Sequence, residues 1–384
     1  MLKLIKKIIS LLLNPFFSKN KYFYIQPCYL GSLIDLLYLS LENKRIIFIV
    51  DPFQILQKKK IVNNKIFILA YTHIMKKKLN VFFNFLYYLH YRANLYTENF
   101  DNIIIDKFKH GDVAVFRKLL NKKNTFFDID YSKSENNEIN HVLQSKYLLF
   151  HCRDSIYKRK TAKNNNDYHN YRNESLANYE NGLSNFINKD LNLVRFGSLA
   201  EKKCNNKNIF DYTFSKNRNQ NNDLLLMKNC EIYVGTGSGP DVLAINFQKP
   251  IVFVNWVHPL NLFTFKEDVV VIFKKIFDKK NKKFISYKNL LDSNFKLKDE
   301  KLPVGLFVTS EQYKKCDLEV IENTPEEIYH AVNEMFNFRK GKFSFDVDLQ
   351  NKFKIPYTEK TKNNFAHNFY ISEHFIKTNQ DLFN

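Results

Sequence analysis

The sequence predicts an α/β protein, because short apolar runs alternate with helical stretches along most of its 384 residues. Two such series follow one another, separated by a polar stretch at 130–138 that we interpret as a linker. A chain of this length is longer than a single domain of ordinary size. Hydrophobic residues make up 45% of it, which is enough to fill two cores. We therefore predict two Rossmann-like domains in tandem.

Residues 18–140 are assigned to an N-terminal Rossmann-like domain, 141–340 to a C-terminal one, and 341–384 to a C-terminal tail. In the first domain we predict strands at 23–26, 45–51, 66–71 and 102–106 and an aromatic-rich helix at 79–96. In the second, three apolar runs end just before His151, Arg195 and Gly235 and are predicted to be strands. A further helix is predicted to begin at Pro325, with Thr324 as its N-cap.

Residues 1–17 are predicted to form a basic amphipathic helix, because Lys3, Lys7, Ser10 and Asn14 recur at helical spacing among apolar residues. The segment is too short to span a bilayer, and no small-residue cleavage site follows it. Two interpretations remain open: a helix on the inner surface of a membrane, or the packed first helix of the fold. The expected location is the cytoplasm, with peripheral attachment to the inner face of the membrane in the first interpretation.

The chain is strongly basic: 59 Lys and Arg against 39 Asp and Glu give a net charge of +20. Such a field attracts anionic partners, including nucleotides and anionic membranes. The alternative is codon drift, since Lys, Asn, Ile, Phe and Tyr dominate the composition, as AT-rich coding produces. Nucleic acid is not an expected partner, because no zinc spacing, recognition helix or aromatic RNA-binding motif accompanies the charge.

Five cysteines are scattered without a C-x-x-C pair, which argues against a disulfide framework and a structural zinc site. Cys152 and Cys230, in or beside apolar strands, are expected to be small buried hydrophobes. A reducing cytoplasm fits this pattern.

Polar motifs follow the three predicted strands of the second domain, where an open parallel sheet binds its ligands. In a strand His151 and Arg153 would lie on one face, so that both can face a cleft. Arg153 and Arg195 can each make bidentate bonds to phosphate. These residues predict a site for a phosphate-bearing ligand, which we interpret as a sugar nucleotide.

The turn Gly235-Thr236-Gly237-Ser238-Gly239 adds backbone N–H groups and two hydroxyls, and a helix is predicted to follow it at 241–246. The turn is neither the G-x-G-x-x-G pattern with an acidic ribose partner nor a P-loop with its lysine. The alternative interpretation is a tight strand-to-helix turn that binds no ligand.

Taken together, the motifs of residues 147–336 resemble a family of bacterial glycosyltransferases associated with surface-polysaccharide synthesis. That family is distantly similar to GT-B enzymes of the O-fucosyltransferase type. The motifs are His151-Cys152-Arg153-Asp154, Tyr171-Arg172-Asn173, Tyr179, Val194-Arg195-Phe196-Gly197, Asp211-Tyr212, the turn at 235–239, Pro250, Asn255-Trp256, Pro259, Thr324-Pro325-Glu326-Glu327-Ile328 and Glu334-Met335. The first 140 residues resemble the family only loosely.

The resemblance implies a GT-B fold, in which an acceptor-binding N-terminal domain and a donor-binding C-terminal domain face a cleft. It implies that Arg153 contacts the donor diphosphate and that Thr236 and Ser238 hold phosphate. Gly197 and Asp211 belong to the shared motifs and are assigned to the same donor site. The resemblance also implies catalysis without a bound metal. The D-x-D pairs at 128–130 and 346–348 are therefore interpreted as chance matches.

We hypothesise that the protein transfers a hexosyl or deoxyhexosyl group from a nucleotide-diphosphate sugar to an acceptor hydroxyl on a glycan or lipid-linked acceptor. Arg153 and His151 are the candidate catalytic residues, and an N-domain carboxylate such as Asp35 is the alternative general base. No cofactor is expected besides the nucleotide-sugar substrate. Two other hypotheses remain: a catalytically inactive nucleotide-binding scaffold of a polysaccharide assembly complex, and a pyruvyl-type transferase on a similar scaffold.

Overall fold

The computed structural model describes residues 132–383, except 157–158, 160–166, 190, 263–267, 299 and 362–368. It also describes residue 129, two strands at 21–25 and 46–50, and single helical residues at 8, 9, 12, 13, 86 and 89. The chain divides into two compact units, Met1–Phe127 and Asp128–Asn384. The boundary falls just before the polar stretch at 130–138.

In the first unit, β1 (Lys21–Ile25) and β2 (Ile46–Val50) pair in parallel, with Lys21 opposite Ile46. Both overlap strands predicted from the sequence. Leu86 and Leu89 are helical and fall within the helix predicted at 79–96. The strands predicted at 66–71 and 102–106 lie outside the described residues, as does Asp35.

Four residues of the predicted N-terminal helix are described: Ile8, Ile9, Leu12 and Leu13, all of them helical. Ile8 is 49% exposed and Leu12 is 66% exposed. The other residues of 1–17 lie outside the described part of the chain. Among the helices that the structure describes, none combines the length and the apolar character needed to cross a membrane.

The second unit contains a parallel sheet. Its strands are β3 (Tyr147–Phe150), β4 (Asn192–Arg195), β5 (Ile209–Asp211), β6 (Ile232–Gly235), β7 (Ile251–Trp256), β8 (Val269–Phe273) and a last strand at Phe369–Ile371 that we call β12. Over the described residues the order is β12-β8-β7-β6-β3-β4-β5, and every neighbouring pair is parallel.

This strand order is that of Rossmann-type folds, extended by one strand. The chain starts at β3, adds β4 and β5 on one side, and returns to the other side of β3 with β6. The direction of winding therefore reverses between β3 and β6. Such a topological switch point opens a crevice at the carboxyl ends of the two strands, where ligands of open α/β sheets bind.

The central strands are almost entirely apolar, with Asn255 of β7 as a buried polar exception, because helices flank the sheet. Every residue of β3, β6, β7 and β8 is buried, and β8 reads Val-Val-Val-Ile-Phe. Near-continuous apolar runs of this kind are typical of parallel strands covered on both faces. A second, antiparallel sheet of order β10-β9-β11 consists of β9 (Lys275–Asp278), β10 (Lys283–Phe284) and β11 (Leu318–Ile321).

The helices are α1 (Asn137–Gln144), α2 (Leu176–Leu183), α3 (Gln220–Asn229), α4 (Asp241–Asn246), α5 (Tyr287–Leu290), α6 (Ser310–Lys315), α7 (Pro325–Arg339), α8 (Val347–Thr361) and α9 (Glu373–Thr378). Helix α3 packs against α1 and α4, whereas α2 packs against α7, which also covers β7 and β8. Gly182 permits the close approach of α2 to α7, since a Cβ there would lie 2.6 Å from the carbonyl oxygen of Pro325.

Helix α7 begins as predicted. The Thr324 hydroxyl accepts a hydrogen bond from the backbone N–H of Glu327, and the Glu327 carboxylate accepts one from the N–H of Thr324. This reciprocal capping box satisfies two N–H groups that the helix itself leaves unpaired. Pro325 occupies the first helical position, where a missing N–H costs nothing.

Residues 341–384, treated as a tail in the sequence analysis, supply α8, β12 and α9 to the second unit. β12 pairs in parallel with β8, with Phe369 opposite Val269, and Phe369 and Ile371 are fully buried. The segment therefore belongs to the sheet. A strand of three residues carries little periodic signal, which explains why the pattern did not reveal it.

Candidate functional site

The polar motifs leave the sheet side by side, next to the switch point. The predicted strands before them are confirmed: β3 ends at Phe150, β4 ends at Arg195 and β6 ends at Gly235. The backbone N–H of His151 donates to the carbonyl oxygen of Val234 at 3.0 Å, so the chain leaving β3 runs beside β6. The helix predicted at 241–246 is confirmed as α4.

Arg153 lies between the end of β3 and a 3-10 helical segment, Asp167–Arg172. Its Nη1 donates to Oδ1 of Asn173 at 2.8 Å and to the carbonyl oxygen of His169 at 3.3 Å. Burial, followed by the nearby charge of Arg172, lowers the pKa of Arg153 to about 10. The guanidinium thus stays charged at neutral pH, and the partners to which it donates in the described part of the chain are neutral oxygens.

Arg172 is the second guanidinium at this edge. Its Nη2 donates to the carbonyl oxygen of Gly237, in the turn after β6. Its charge also lowers the pKa of Arg153 and of His258, after the larger effect of burial in each case. Arg172 belongs to the Tyr171-Arg172-Asn173 motif of the sequence, although the sequence analysis gave it no role.

Glu174 joins the ends of β3 and β6. Its Oε2 accepts from the backbone N–H of Arg153 and from the hydroxyl of Tyr179, each at 2.9 Å, and its Oε1 accepts from the hydroxyl of Thr236. Burial raises the pKa of Glu174 to about 7, against the opposing charge of Lys274. Thr236, 4% exposed, is therefore held by a carboxylate.

The imidazole of His151 has a defined tautomer. Its Nδ1 lies 2.9 Å from the carbonyl oxygen of Phe196, which can only accept, so Nδ1 carries the proton and Nε2 keeps its lone pair. Burial, reinforced by the charges of Arg195 and Arg153, lowers the pKa of His151 to about 4 despite the hydrogen bond to Phe196. Gly197 adjoins this ring, since a Cβ there would lie 3.5 Å from Nδ1.

Arg195 and Asp211 bind each other. They are register partners on β4 and β5, with Nη1 of Arg195 3.2 Å from Oδ2 of Asp211. The same Nη1 donates to the carbonyl oxygen of Lys202 at 2.6 Å, and Arg195 is only 2% exposed. Asp211 also accepts from the backbone N–H of Cys204 at 2.8 Å. The two charges thus pair with each other inside the fold, although Oδ1 of Asp211 is buried without a hydrogen-bond partner among the described residues, and the role of both residues as donor ligands stays a prediction.

The turn from Gly235 to Gly239 wraps around an internal carboxylate, that of Asp241. Oδ2 of Asp241 accepts from the backbone N–H of Ser238 at 2.5 Å, and Oδ1 accepts from the hydroxyl of Tyr233 at 2.8 Å. Burial raises the pKa of Asp241 to about 6. At least one N–H expected to face phosphate is thus already bonded, as in a turn that folds without a ligand. Helix α4, six residues long and headed by Asp241, adds little for an anion.

The turn needs its glycines. A Cβ on Gly235 would lie 2.4 Å from Oδ1 of Asp241, and Gly237 has a φ of +73°. A Cβ on Gly237 would also come within 3.1 Å of the Trp256 ring. The carbonyl oxygen of Gly239 accepts from the N–H of Val242 at 3.4 Å, where α4 begins.

Ser238 differs from the rest of the turn. Its hydroxyl oxygen is buried and has no hydrogen-bond partner in the structure. A buried polar atom without a partner costs about 1–3 kcal/mol, so native proteins seldom keep one unless it meets a ligand or water. The Ser238 hydroxyl is therefore the group of the turn that best fits the predicted contact with phosphate.

Lys274 completes the cationic set. It follows β8, is 2% exposed, and its Nζ donates to the carbonyl oxygens of Asn173 at 2.6 Å and Tyr171 at 3.2 Å. Burial lowers its pKa, opposed by the charge of Glu174. The sequence analysis missed Lys274 and Glu174. The rule that found the other motifs, a polar residue directly after an apolar strand, also applies to Lys274.

Other predicted features have ordinary structural roles. Cys152 and Cys230 are buried, as expected, and the cysteines within the described residues are free thiols. Asp346 of the second D-x-D pair accepts from the N–H of Leu349 at 2.9 Å at the start of α8. Of the first pair, only the intervening Ile129 lies in the described part of the chain.

The chain was compared with protein-family models, with curated proteins and with solved structures, and none of the three comparisons gave a match.

Proposed function

We propose that the protein is a glycosyltransferase that moves a hexosyl or deoxyhexosyl group from a nucleotide-diphosphate sugar to an acceptor hydroxyl. One observation carries the proposal: Arg153 and Arg172 come together at the carboxyl edge of the sheet, beside the switch point, and in the described part of the chain their guanidinium groups donate to neutral oxygens. Glu174 and Asp154 lie close enough to Arg153 for their charges to interact. Asp241 lies close enough to Arg172 for the same interaction, and a diphosphate would add an anion bonded directly to the two guanidinium groups. Charge-assisted bonds from arginine to phosphate are among the strongest hydrogen bonds in proteins.

The same pair supplies a mechanism for the departure of the nucleotide. As the glycosidic bond to the donor breaks, negative charge accumulates on the diphosphate. Guanidinium groups fixed in place before the reaction stabilise that charge more in the transition state than in the ground state. Arg153 is fixed by Asn173 and the backbone of His169, and Arg172 by the carbonyl oxygen of Gly237.

His151 is the candidate general base within the described residues. Its pKa of about 4 keeps the ring neutral at physiological pH, and its Nδ1–H bond to Phe196 leaves Nε2 able to accept the proton of an acceptor hydroxyl. A base with so low a pKa is weak. Leaving-group stabilisation by the two arginines is therefore assigned the larger part of the rate enhancement.

The wider proposal follows from the resemblance of the motifs. It comprises a GT-B arrangement of two Rossmann-like domains facing a cleft, with a glycan or lipid-linked acceptor on the N-terminal domain. The reaction belongs to surface polysaccharide or glycoconjugate synthesis, in the cytoplasm or at the inner face of the membrane. The exposed Ile8 and Leu12 of the N-terminal helix support contact with such a surface. No metal is required at the donor site in this proposal.

One observation favours a second candidate, a nucleotide-binding scaffold without transferase activity. Asp241 bonds the Ser238 N–H from within the turn, which places a carboxylate close to the proposed phosphate position. Such a charge weakens the stabilisation of a leaving group more than it weakens simple binding, since the charge on the phosphate grows during the reaction.

Calorimetric titration of the full chain with GDP, UDP, CMP and ADP tests the proposal. We expect one diphosphate to bind best, and the matching nucleotide sugars to be hydrolysed or transferred, with turnover unchanged by EDTA. The matched control is Arg339→Ala, a surface arginine at the end of α7 that is paired with Asp268 at 3.5 Å and is not a residue of the proposed site. Tight binding without turnover across a sugar panel would favour the scaffold. Absence of binding by every nucleotide would exclude both candidates.

A further inference from the structure

A carboxylate and two imidazoles meet where α7 packs against α9. Glu326 and His330 lie on α7, and His374 lies on α9, the helix that follows the edge strand β12. One ligand atom from each of the three side chains lies within 4.8 Å of the others. Oε1 of Glu326 is 3.9 Å from Nε2 of His374, and the two imidazole rings stack with centroids 3.8 Å apart.

The backbone holds these side chains together. Glu326, His330 and Glu334 are spaced four residues apart on α7 and so form one stripe along the helix. The carboxylate of Glu334 accepts hydrogen bonds from the backbone N–H groups of Glu373 and His374, each at 2.9 Å. The start of α9 is thus fixed to the same stripe that carries the other two side chains.

The positive charge nearest to His374 in the sequence, that of Lys377, is paired with a carboxylate. Lys377, one turn after Glu373 on α9, donates to the Glu373 carboxylate at 2.8 Å. Glu326 is 73% exposed at its side chain and can reorient without disturbing the core. The cluster therefore combines two histidines on helices whose backbones are held together with an exposed carboxylate that is free to adjust.

We propose that Glu326, His330 and His374 bind a divalent transition-metal ion of the zinc class. Two imidazole nitrogens and one carboxylate oxygen are a ligand set typical of Zn²⁺ with a fourth position left for water or another group. In a tetrahedral site with bonds of about 2.0–2.2 Å, neighbouring ligand atoms lie roughly 3.3–3.6 Å apart. The spacing of up to 4.8 Å therefore needs to close by roughly 1.2–1.5 Å, through reorientation of the exposed Glu326 and movement of the two rings.

The imidazole stack also has to change on binding. The lone pair of each nitrogen lies in the plane of its ring, and the two planes are inclined by only 11°. Both nitrogens can aim at one ion only if the rings tilt out of this nearly parallel stack. Metal binding would then cross-link α7 to α9 and so attach the C-terminal segment more firmly to the sheet.

This site is independent of the proposed transferase activity. β8 and β7 separate β12 from β6 in the sheet, so the cluster is not at the switch point. A measurement of metal binding therefore tests the site separately from the proposed transferase activity, whatever nucleotide the protein binds.

Metal binding to the tag-free full chain tests the inference. Calorimetric titration with Zn²⁺ should show one equivalent bound at this site, and Co²⁺ should give the visible absorption of a four-coordinate ion. His330→Ala and His374→Ala should each weaken Zn²⁺ affinity by at least about tenfold, and Glu326→Gln should weaken it less. His141→Ala, which removes an exposed histidine on α1, is the control and should bind like the parent.

The fold is checked separately, since His330 and His374 pack on each other. Circular dichroism and thermal melting without metal should show that each variant retains the parent's structure. Zn²⁺ should raise the melting temperature of the parent and of His141→Ala but not of the double variant His330→Ala/His374→Ala. Equal Zn²⁺ affinity in parent and double variant, or no Zn²⁺ binding by the parent, would overturn the inference.

Discussion

Arg153 and Glu174 bind each other through a reciprocal pair of hydrogen bonds. The backbone N–H of Arg153 donates to the Glu174 carboxylate at 2.9 Å, and the N–H of Glu174 donates to the carbonyl oxygen of Arg153 at 3.0 Å. The same carboxylate accepts from Thr236 in the turn after β6. Glu174 thereby fixes the ends of the two strands that border the switch point, and we assign it a positioning role.

Two substitutions of Glu174 distinguish the contribution of its hydrogen bonds to stability from the contribution of its charge. Glu174→Ala leaves three donors without a partner and should lower the free energy of unfolding by about 2–4 kcal/mol. Glu174→Gln can keep all three contacts, since the Thr236 hydroxyl can accept from the new amide, and should cost less than about 1 kcal/mol. Urea denaturation of both variants gives these values. Equal losses in the two variants would contradict the assignment of the contacts.

The raised pKa of Glu174 adds a pH dependence. Folded Glu174 keeps its proton up to about pH 7, whereas an unfolded glutamate loses it near its ordinary pKa of 4.5. Between these values the folded state binds more protons, so this group's contribution to stability falls as pH rises. Glu174→Gln removes the effect and should therefore gain stability relative to the parent between pH 5 and 8, measured by urea denaturation. A difference in stability between variant and parent that does not change with pH would show that the pKa of Glu174 is ordinary.

Removal of either guanidinium at the switch point should weaken binding of a nucleotide diphosphate. Arg153→Ala and Arg172→Ala should each reduce affinity by about tenfold or more, because one charge-assisted bond is worth upwards of about 1.4 kcal/mol. Arg153→Lys keeps the charge but loses the planar fork and should recover only part of the affinity. Calorimetry on the nucleotide that binds best decides this, with Arg339→Ala as control. Unchanged affinity in both alanine variants would show that the nucleotide does not bind at this edge of the sheet.

Replacement of Arg195, unlike that of Arg153 or Arg172, should lower the stability of the fold and not the affinity for nucleotide. Because the charge of Arg195 is buried against Asp211, Arg195→Met should destabilise the fold by about 3–5 kcal/mol, since it leaves an uncompensated carboxylate. The double variant Arg195→Met/Asp211→Leu should recover part of that loss. Thermal melting of the single and double variants measures the coupling. If Arg195→Met instead kept its stability and lost nucleotide affinity, Arg195 would be a donor ligand as the sequence first suggested.

The contrast between Arg153 and Arg195 shows how far the sequence could lead. Both arginines stand at the end of an apolar run, and the pattern correctly predicted the strands and their shared edge. It could not reveal that Asp211 lies directly opposite Arg195, because that register depends on how β5 aligns beside β4. Arg195 is the last residue of β4 and lies level with Phe150, whereas Arg153 follows the end of β3 by three residues, so the two arginines have different surroundings.

The turn after β6 provides a second example. Its glycines and the helix after it were predictable, but the return of the Asp241 side chain to the Ser238 N–H was not foreseen. Ser238-Gly239-Pro240-Asp241 does fit the S-x-x-D spacing of a capping box, and that signal was available. The cluster of Glu326, His330 and His374 gave no such signal. Its members come from two helices that are separated in the sequence by α8 and β12, so no local spacing brings them together.

Ser238 gives the sharpest test of whether the turn binds a ligand. Its hydroxyl is buried without a partner, so Ser238→Ala removes an unsatisfied group and should leave the free energy of unfolding unchanged or raise it by up to about 1 kcal/mol. If that hydroxyl meets a phosphate, the same variant should lose nucleotide affinity by about 0.5–1.5 kcal/mol, or roughly two- to tenfold. Stability and affinity would then change in opposite directions.

Two companion variants complete this test. Ser372→Ala removes a buried hydroxyl that accepts from the N–H of Phe375 at 3.3 Å, and should lower stability by about 1 kcal/mol without affecting nucleotide affinity. Gly237→Val should lower both, because valine cannot adopt a φ of +73° without strain and its side chain meets Trp256. Melting temperatures and nucleotide titrations of all three variants decide the outcome. If Ser238→Ala binds nucleotide like the parent, the turn is a structural one and the phosphate lies nearer to Arg153.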